Sequence, residues 1–198
     1  MDSNQSGLLH KECFVTIGAT AGFEELLIAA VSEDVLNTLA DLGFTDLTVQ
    51  CGTMNEYFRK IKPRDSKGLR ITNFDFKARG LENEMKRCQS RNGVSQEGLV
   101  VCHAGAGTIL DVMRLGLPLV VVPNVSLLDN HQEELAAELE RQGYVVKSSV
   151  SGLSVAIKAA TANSRKSWTT SNPKNRGIAP IVDEVLGHKE EDTKFRLD

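Results

Sequence analysis

The stretch His103-Ala104-Gly105-Ala106-Gly107-Thr108 follows an apolar run and opens a helical pattern. Its glycines and alanines keep side chains out of the way of a ligand. Exposed N–H groups at a helix start, with the helix dipole behind them, attract a diphosphate. Thr108 is expected to cap that helix. The spacing is not G-x-G-x-x-G, and no P-loop lysine follows, so dinucleotide and NTPase readings lose ground. Asp111 lies one turn further on, where a carboxylate can accept hydrogen bonds from vicinal ribose hydroxyls. A surface aspartate favoured by the dipole fits that position equally well.

Two more loops have ligand-binding composition. Gly18-Ala19-Thr20-Ala21-Gly22 also sits between an apolar run and a helix. It suits a phosphate, and an ordinary tight turn fits it equally. Residues 123–132 gather Asn124, Ser126, Asp129, Asn130, His131 and Gln132, short polar side chains suited to sugar hydroxyls. No carboxylate partner for His131 can be picked out in the sequence, so a hydrogen-bonding role is preferred to that of a base. There is no D-x-D, G-x-S-x-G or H-E-x-x-H. The missing D-x-D implies that N–H groups and helix dipoles, not a divalent ion, meet the ligand's charge. No metal or cofactor is expected.

The elements that must hold these loops alternate. Apolar runs at 13–17, 47–51, 69–74, 98–102, 119–123 and 144–147 read as strands. Most are apolar on both faces, as parallel strands covered by helices are. Helical patterns cover 23–42, with a break near Ser32-Glu33-Asp34 and a stop at Gly43, then 108–115 and 130–142. The result is one Rossmann-like, doubly wound α/β domain. Residues 77–98 read as a short helix and a polar surface loop.

The chain has 198 residues, enough for one domain that needs no disulfide or metal to hold its core. Net charge is -3, which excludes a wholly basic nucleic-acid binder. Cys13, Cys51, Cys88 and Cys102 form no C-x-x-C pair and read as buried reduced thiols. The apolar runs are far short of a membrane span of about 20 residues. Residues 1–12 are polar, without an apolar signal core, so a cytosolic location is expected. From Arg141 to Val182 there is no acidic residue, and Trp168 lies in that basic stretch. Ile181, Val182, Val185 and Leu186 then recur at helical spacing within 178–186. These features divide the chain into a polar lead (1–12), a sheet domain (13–147) and a basic segment with an amphipathic helix (148–198).

The run from His103 to Asp111, then Gly116-Leu117-Pro118, then Asp129-Asn130-His131-Gln132 resembles one half of a larger enzyme class. It is similar to the C-terminal, donor-binding half of GT-B glycosyltransferases of family 28. It looks closer still to the small cytosolic catalytic subunits of eukaryotic two-component UDP-N-acetylglucosamine transferases. Phe14 to Thr20, Gln50-Cys51-Gly52 and Phe74-Asp75-Phe76 carry the likeness further. It implies that Gly18, Ala19 and Thr20 face the donor diphosphate, as do Gly105, Ala106, Gly107 and Thr108. The backbone at Phe74 and Asp75 would hold uracil, and Asp111 the ribose. Asp129, Asn130, His131 and Gln132 would contact N-acetylglucosamine. His103 would join the donor site, and His103 and His131 are the two candidates for a base, unless that base lies on a partner.

The same likeness implies an inverting transfer from UDP-GlcNAc to GlcNAc-diphosphodolichol in N-glycan precursor synthesis. A complete GT-B enzyme has two such domains, so the acceptor half is expected on a second, membrane-anchored subunit. That partner would bind the polyprenyl diphosphate-linked acceptor and recruit this chain to the cytosolic face of the endoplasmic reticulum. The segment 178–186 would dock on it, or else pack on the sheet domain. A nucleotide-sugar-binding regulatory subunit and a bare scaffold are the alternatives from other classes.

Overall fold

A computed structural model describes residues 9–19, 21–125 and 131–162, with the backbone alone at His131. The strands are β1 (Glu12–Thr16), β2 (Asp46–Gln50), β3 (Arg70–Phe74), β4 (Leu99–His103), β5 (Leu119–Val122) and β6 (Val146–Lys147). All pair in parallel, in the order β3-β2-β1-β4-β5-β6. The chain winds outward from β1 to β3, returns to β4 beside β1, and winds outward the other way. The order therefore reverses between β1 and β4, and a crevice opens there at the carboxyl ends of the strands.

Both faces of the sheet are covered. Cys13, Val15, Leu47, Val49, Leu99, Val101, Val120 and Val122 share one core cluster. Helices α1 (Glu24–Ala30), α2 (Glu33–Asp41), α3 (Asn55–Ile61) and α7 (Leu153–Ala162) contribute to it. Phe14, Val100, Cys102, Leu119 and Val121 point the other way, towards α4 (Glu82–Arg87), α5 (Ala106–Arg114) and α6 (His131–Arg141). Two-sided burial is why these strands lack an alternating pattern. The break between α1 and α2 is real: Ser32 Oγ accepts a hydrogen bond from Val35 N and caps α2. Gly43, at φ +76°, follows that helix in the left-handed conformation expected after a C-cap.

Two helices are not legible in the sequence pattern. The charged stretch 55–61 forms α3, which buries only Phe58. The stretch 153–162 forms α7, whose Leu153, Ala156, Ile157 and Ala160 join the core. The composition change suggests a sheet domain at 13–147, yet its core takes in these residues from the basic segment that follows. The stretch 178–186 and Trp168 lie outside the described residues.

The amino ends of the strands carry two buried carboxylates, each met by basic side chains from nearer the surface. Glu12 is fully buried, and one of its oxygens meets Arg87 Nε at 2.8 Å and His10 Nε2 at 3.1 Å. His10 Nδ1 reaches Asp46 at 2.7 Å, and Arg70 Nε donates to the other Asp46 oxygen at 2.5 Å. Burial pushes the Asp46 carboxyl up, but hydrogen bonds from Thr45 and Arg70 outweigh it and hold the group below its usual range. The polar loop after α4 is fastened to the same end. Ser95 is buried, and Gln96 N donates to His10 O at 2.8 Å. All four cysteines are buried and free, and burial pushes Cys51 up to about 12.

Gly98 marks the tightest backbone approach. A Cβ there would lie 2.0 Å from the Glu12 carbonyl oxygen and 3.1 Å from Cys88 Cα. Neither is a flexible side chain. Gly98→Ala should therefore destabilise the protein by about 2–3 kcal/mol, lowering the melting temperature by roughly 4–12 °C. Gly107→Ala meets nothing within 4 Å and should not lower it. A thermal melt checks both, and a Gly98→Ala melt matching the parent contradicts the close contact.

Candidate donor-binding site

The crevice between β1 and β4 is built around His103, the last residue of β4. A Cβ at Gly18 would lie 2.4 Å from His103 Cε1, and one at Gly105 would lie 2.5 Å from His103 Nε2. At both positions the imidazole takes the space of a side chain, so a larger residue there requires the ring to move. Gly18 also has φ +82°, the left-handed region. The ring brings the loop after β1 against the loop after β4.

Within the ring, Nδ1 is buried and has no hydrogen-bond partner among the described residues. The Thr16 backbone lies near enough to favour the charged ring, but without making a hydrogen bond of ordinary geometry to that atom. Burial dominates and pushes the His103 pKa down, so the ring is neutral at pH 7.

Helix α5 begins beside this ring. Gly105 is its N-cap, in extended conformation, and no side chain caps it. The expected cap, Thr108, is instead the third residue of the helix, because the turn starts at Ala106 rather than after Gly107. First-turn N–H groups of a helix have no partner within it. Those of Ala106, Gly107 and Thr108 therefore face outward with the positive end of the dipole. Gly107 lies in regular helix, and a side chain there enters open space. Asp111 is exposed on the next turn, 3.4 Å from Arg114 Nη1.

The remaining predicted residues are distributed around the same rim. Ala19 is exposed beside Gly18. Phe74 ends β3 and stacks on Phe14, with ring centroids 6.3 Å apart. Asp75 follows it, and its carboxylate accepts from Phe76 N at 2.8 Å. Gln132 Oε1 accepts from Asn124 N at 3.2 Å, and Asn124 Nδ2 donates to Gly22 O at 3.3 Å. That pair ties the loop after β5 to the loop after β1. Thr20, Asp129 and Asn130 lie outside the described residues, as does the side chain of His131.

One residue at this rim is not among those predicted for the site. Gln50 ends β2, is buried, and hydrogen-bonds to both neighbouring strand ends. An open groove of about 340 Å³ lies elsewhere, between α1, α2 and the start of α7, and none of the predicted residues lines it.

The family model for the glycosyltransferase family 28 C-terminal domain matches residues 12–184. The chain belongs to that family. A UDP-N-acetylglucosamine transferase subunit ALG13 from Yarrowia lipolytica is 34% identical over 173 residues, covering 87% of this chain and 83% of that protein. The solution structure of an ALG13 matches with a TM-score of 0.64 at 26% identity, over 85% of this chain and 94% of its own. MurG from Acinetobacter baumannii matches with a TM-score of 0.50 at 21% identity, over 75% of this chain and 38% of its own, a likeness of fold. The Rossmann-like sheet expected from the sequence and the family resemblance are both borne out.

The depressed pKa of His103 has a stability consequence. The unfolded chain takes up a proton on this residue near pH 6.5. The folded chain does so only at lower pH. Stability therefore falls as pH drops below about 6.5. Relative to His103→Gln, the wild-type chain should lose melting temperature between pH 7.5 and 5.5. A difference that stays constant over that range contradicts the buried neutral ring.

Proposed function

We propose that this chain is the donor-binding catalytic subunit of a UDP-N-acetylglucosamine transferase. It moves N-acetylglucosamine from UDP-GlcNAc to GlcNAc-diphosphodolichol, with a membrane-anchored subunit supplying the acceptor site. The observation that carries this reading is the crevice at His103, where two glycine loops and the uncapped start of α5 converge. The names of the relatives, subunits of a UDP-N-acetylglucosamine transferase, support the sugar and the need for a partner.

In this reading the donor diphosphate sits over Gly18 and the N–H groups of Ala106, Gly107 and Thr108. Asp111 accepts from the ribose hydroxyls, and the base lies near Phe74 and Asp75. Gln132, with Asp129, Asn130 and His131, meets the sugar. The acceptor 4-hydroxyl attacks the anomeric carbon, that carbon inverts, and UDP leaves. Negative charge grows on the leaving diphosphate, where fixed N–H dipoles stabilise it without a metal. His103 stays neutral and is the surface on which the two glycine loops pack, and the proton of the acceptor hydroxyl leaves to a base on the partner. No helix among the described residues is long and apolar enough to cross a membrane. In this reading the partner recruits the chain to the cytosolic face of the endoplasmic reticulum.

A regulatory reading keeps one observation in its favour: no carboxylate among the described residues orients His103 as a base would need. Asp111→Ala separates the two. Loss of two charge-assisted hydrogen bonds should weaken UDP-GlcNAc binding by about 2–4 kcal/mol, with an unchanged melt, since Asp111 is exposed. In the complex with the membrane subunit, KM for UDP-GlcNAc should rise in step, and the chain alone should transfer nothing. An unchanged KM favours the regulatory reading. Unchanged binding defeats the ribose role.

A further inference from the structure

Gln50 is a buried side chain at the end of β2 that hydrogen-bonds to the ends of both neighbouring strands, β1 and β3. Thr16 Oγ1 donates to Gln50 Oε1 at 2.6 Å. Gln50 Nε2 donates to the Gly18 carbonyl at 3.1 Å and to the Asp75 carbonyl at 2.9 Å. Gly18 N in turn donates to Thr16 Oγ1 at 3.3 Å. The hydrogen bonds close a ring: Gly18 N–H to Thr16, Thr16 to the Gln50 carbonyl, and the Gln50 amide back to the Gly18 carbonyl. Both backbone groups of Gly18 are thereby fixed, at the residue whose left-handed turn makes room for His103.

The orientation of the amide follows from its neighbours. Two carbonyl oxygens face Nε2, and a hydroxyl faces Oε1. A flipped amide would set an oxygen against two oxygens. All the amide's donors are used, and the side chain itself is buried. The second donor matters most. It ends on Asp75, in the segment after β3, while the first ends on the loop after β1. Backbone pairing supports the same junction, with Cys51 N donating to Phe74 O at 2.8 Å. Gly52 leaves room beside it: its φ is +51°, and a Cβ there would lie 3.4 Å from Gly18 O.

We infer that Gln50 is a positioning residue that couples the base segment at Asp75 to the diphosphate loop at Gly18. This rests on the donor-site reading above and deepens it. A nucleobase that seats correctly against residues 74–76 holds Asp75 in place, and the Gln50 amide passes that constraint to Gly18. Discrimination between bases is then expressed in how well the diphosphate is held. Thr16 is the second member of the device, since its hydroxyl both fixes the amide and binds Gly18 N.

The test uses the full chain, with UDP and ADP as probes and calorimetric affinities. The wild-type chain should prefer UDP. Gln50→Met matches the length of the side chain but lacks both donors. It should weaken UDP by about tenfold or more and bring the UDP-to-ADP preference towards one. A purely structural glutamine would weaken both nucleotides alike and leave that ratio intact. Gln50→Glu tests the donors directly. Its carboxylate can donate nothing to the two carbonyls, but a protonated carboxyl donates once. UDP affinity of Gln50→Glu should therefore rise from pH 8 to pH 6, with no such rise in Gln50→Met. Thr16→Val should lose selectivity and Thr16→Ser should keep it, which serves if a Gln50 variant fails to fold. A wild-type chain that binds UDP, beside variants that keep its selectivity, overturns the coupling alone. A wild-type chain that binds neither nucleotide overturns the donor site and the coupling together.

Discussion

The ring of His103 fills the space that a side chain at residue 18 or residue 105 would need, at 2.4 and 2.5 Å from their hypothetical Cβ atoms. Much of the site follows from that contact. The loop after β1 must turn through a left-handed glycine to pass the ring, and α5 must start from a glycine that offers no side-chain cap. The same crowding buries Nδ1, which has no partner among the described residues, and lowers the pKa of the part-buried ring. The parallel sheet makes the contact possible. Only β1 and β4 leave in opposite winding directions, so only their loops open a crevice between them.

Polar groups are spent very differently at the two ends of the sheet. At the amino ends, the buried carboxylates of Glu12 and Asp46 are paired with the more exposed His10, Arg70 and Arg87, and the polar loop around Ser95 is fastened to the same place. That end is closed. At the carboxyl ends, backbone N–H groups are left facing out, and hydrogen bonds of the buried residues Thr16, Gln50 and Asn124 join one loop to another. Such an arrangement holds loops in place without filling the space above them, which is what a bound diphosphate sugar requires.

Much of this architecture is legible in the local chemistry of the sequence. Strands β1, β4 and β5 stand out because they are apolar on both faces, and Gly43 because it follows a helix as a C-cap glycine does; Gly18 and Gly105 stand out as ligand-approach glycines, although the space beside them is taken by His103. The misses have physical causes too. Helix α3 is only seven residues long and buries Phe58 alone, with Tyr57 and Ile61 partly buried beside it, so its apolar stripe is too short to stand out in a charged stretch. Helix α7 sits after a composition change that marks it as tail, although four of its residues are core. Thr108 has the right residue type for a cap, but the helix starts two residues earlier. The role of Gln50 is hidden for another reason. Its partners are 25, 32 and 34 positions away, and only the register of three adjacent strands brings them together.

The central claim is that a nucleotide diphosphate binds over the crevice between β1 and β4. Amide chemical shifts of the isotopically labelled chain, recorded as UDP is added, test it most directly. The account predicts saturable shifts at Gly18, Ala19 and the run from Gly105 to Thr108, with smaller ones at Asp75 and Phe76. Shifts confined to the groove between α1, α2 and α7, around Ile28, Val150 and Leu153, would contradict it.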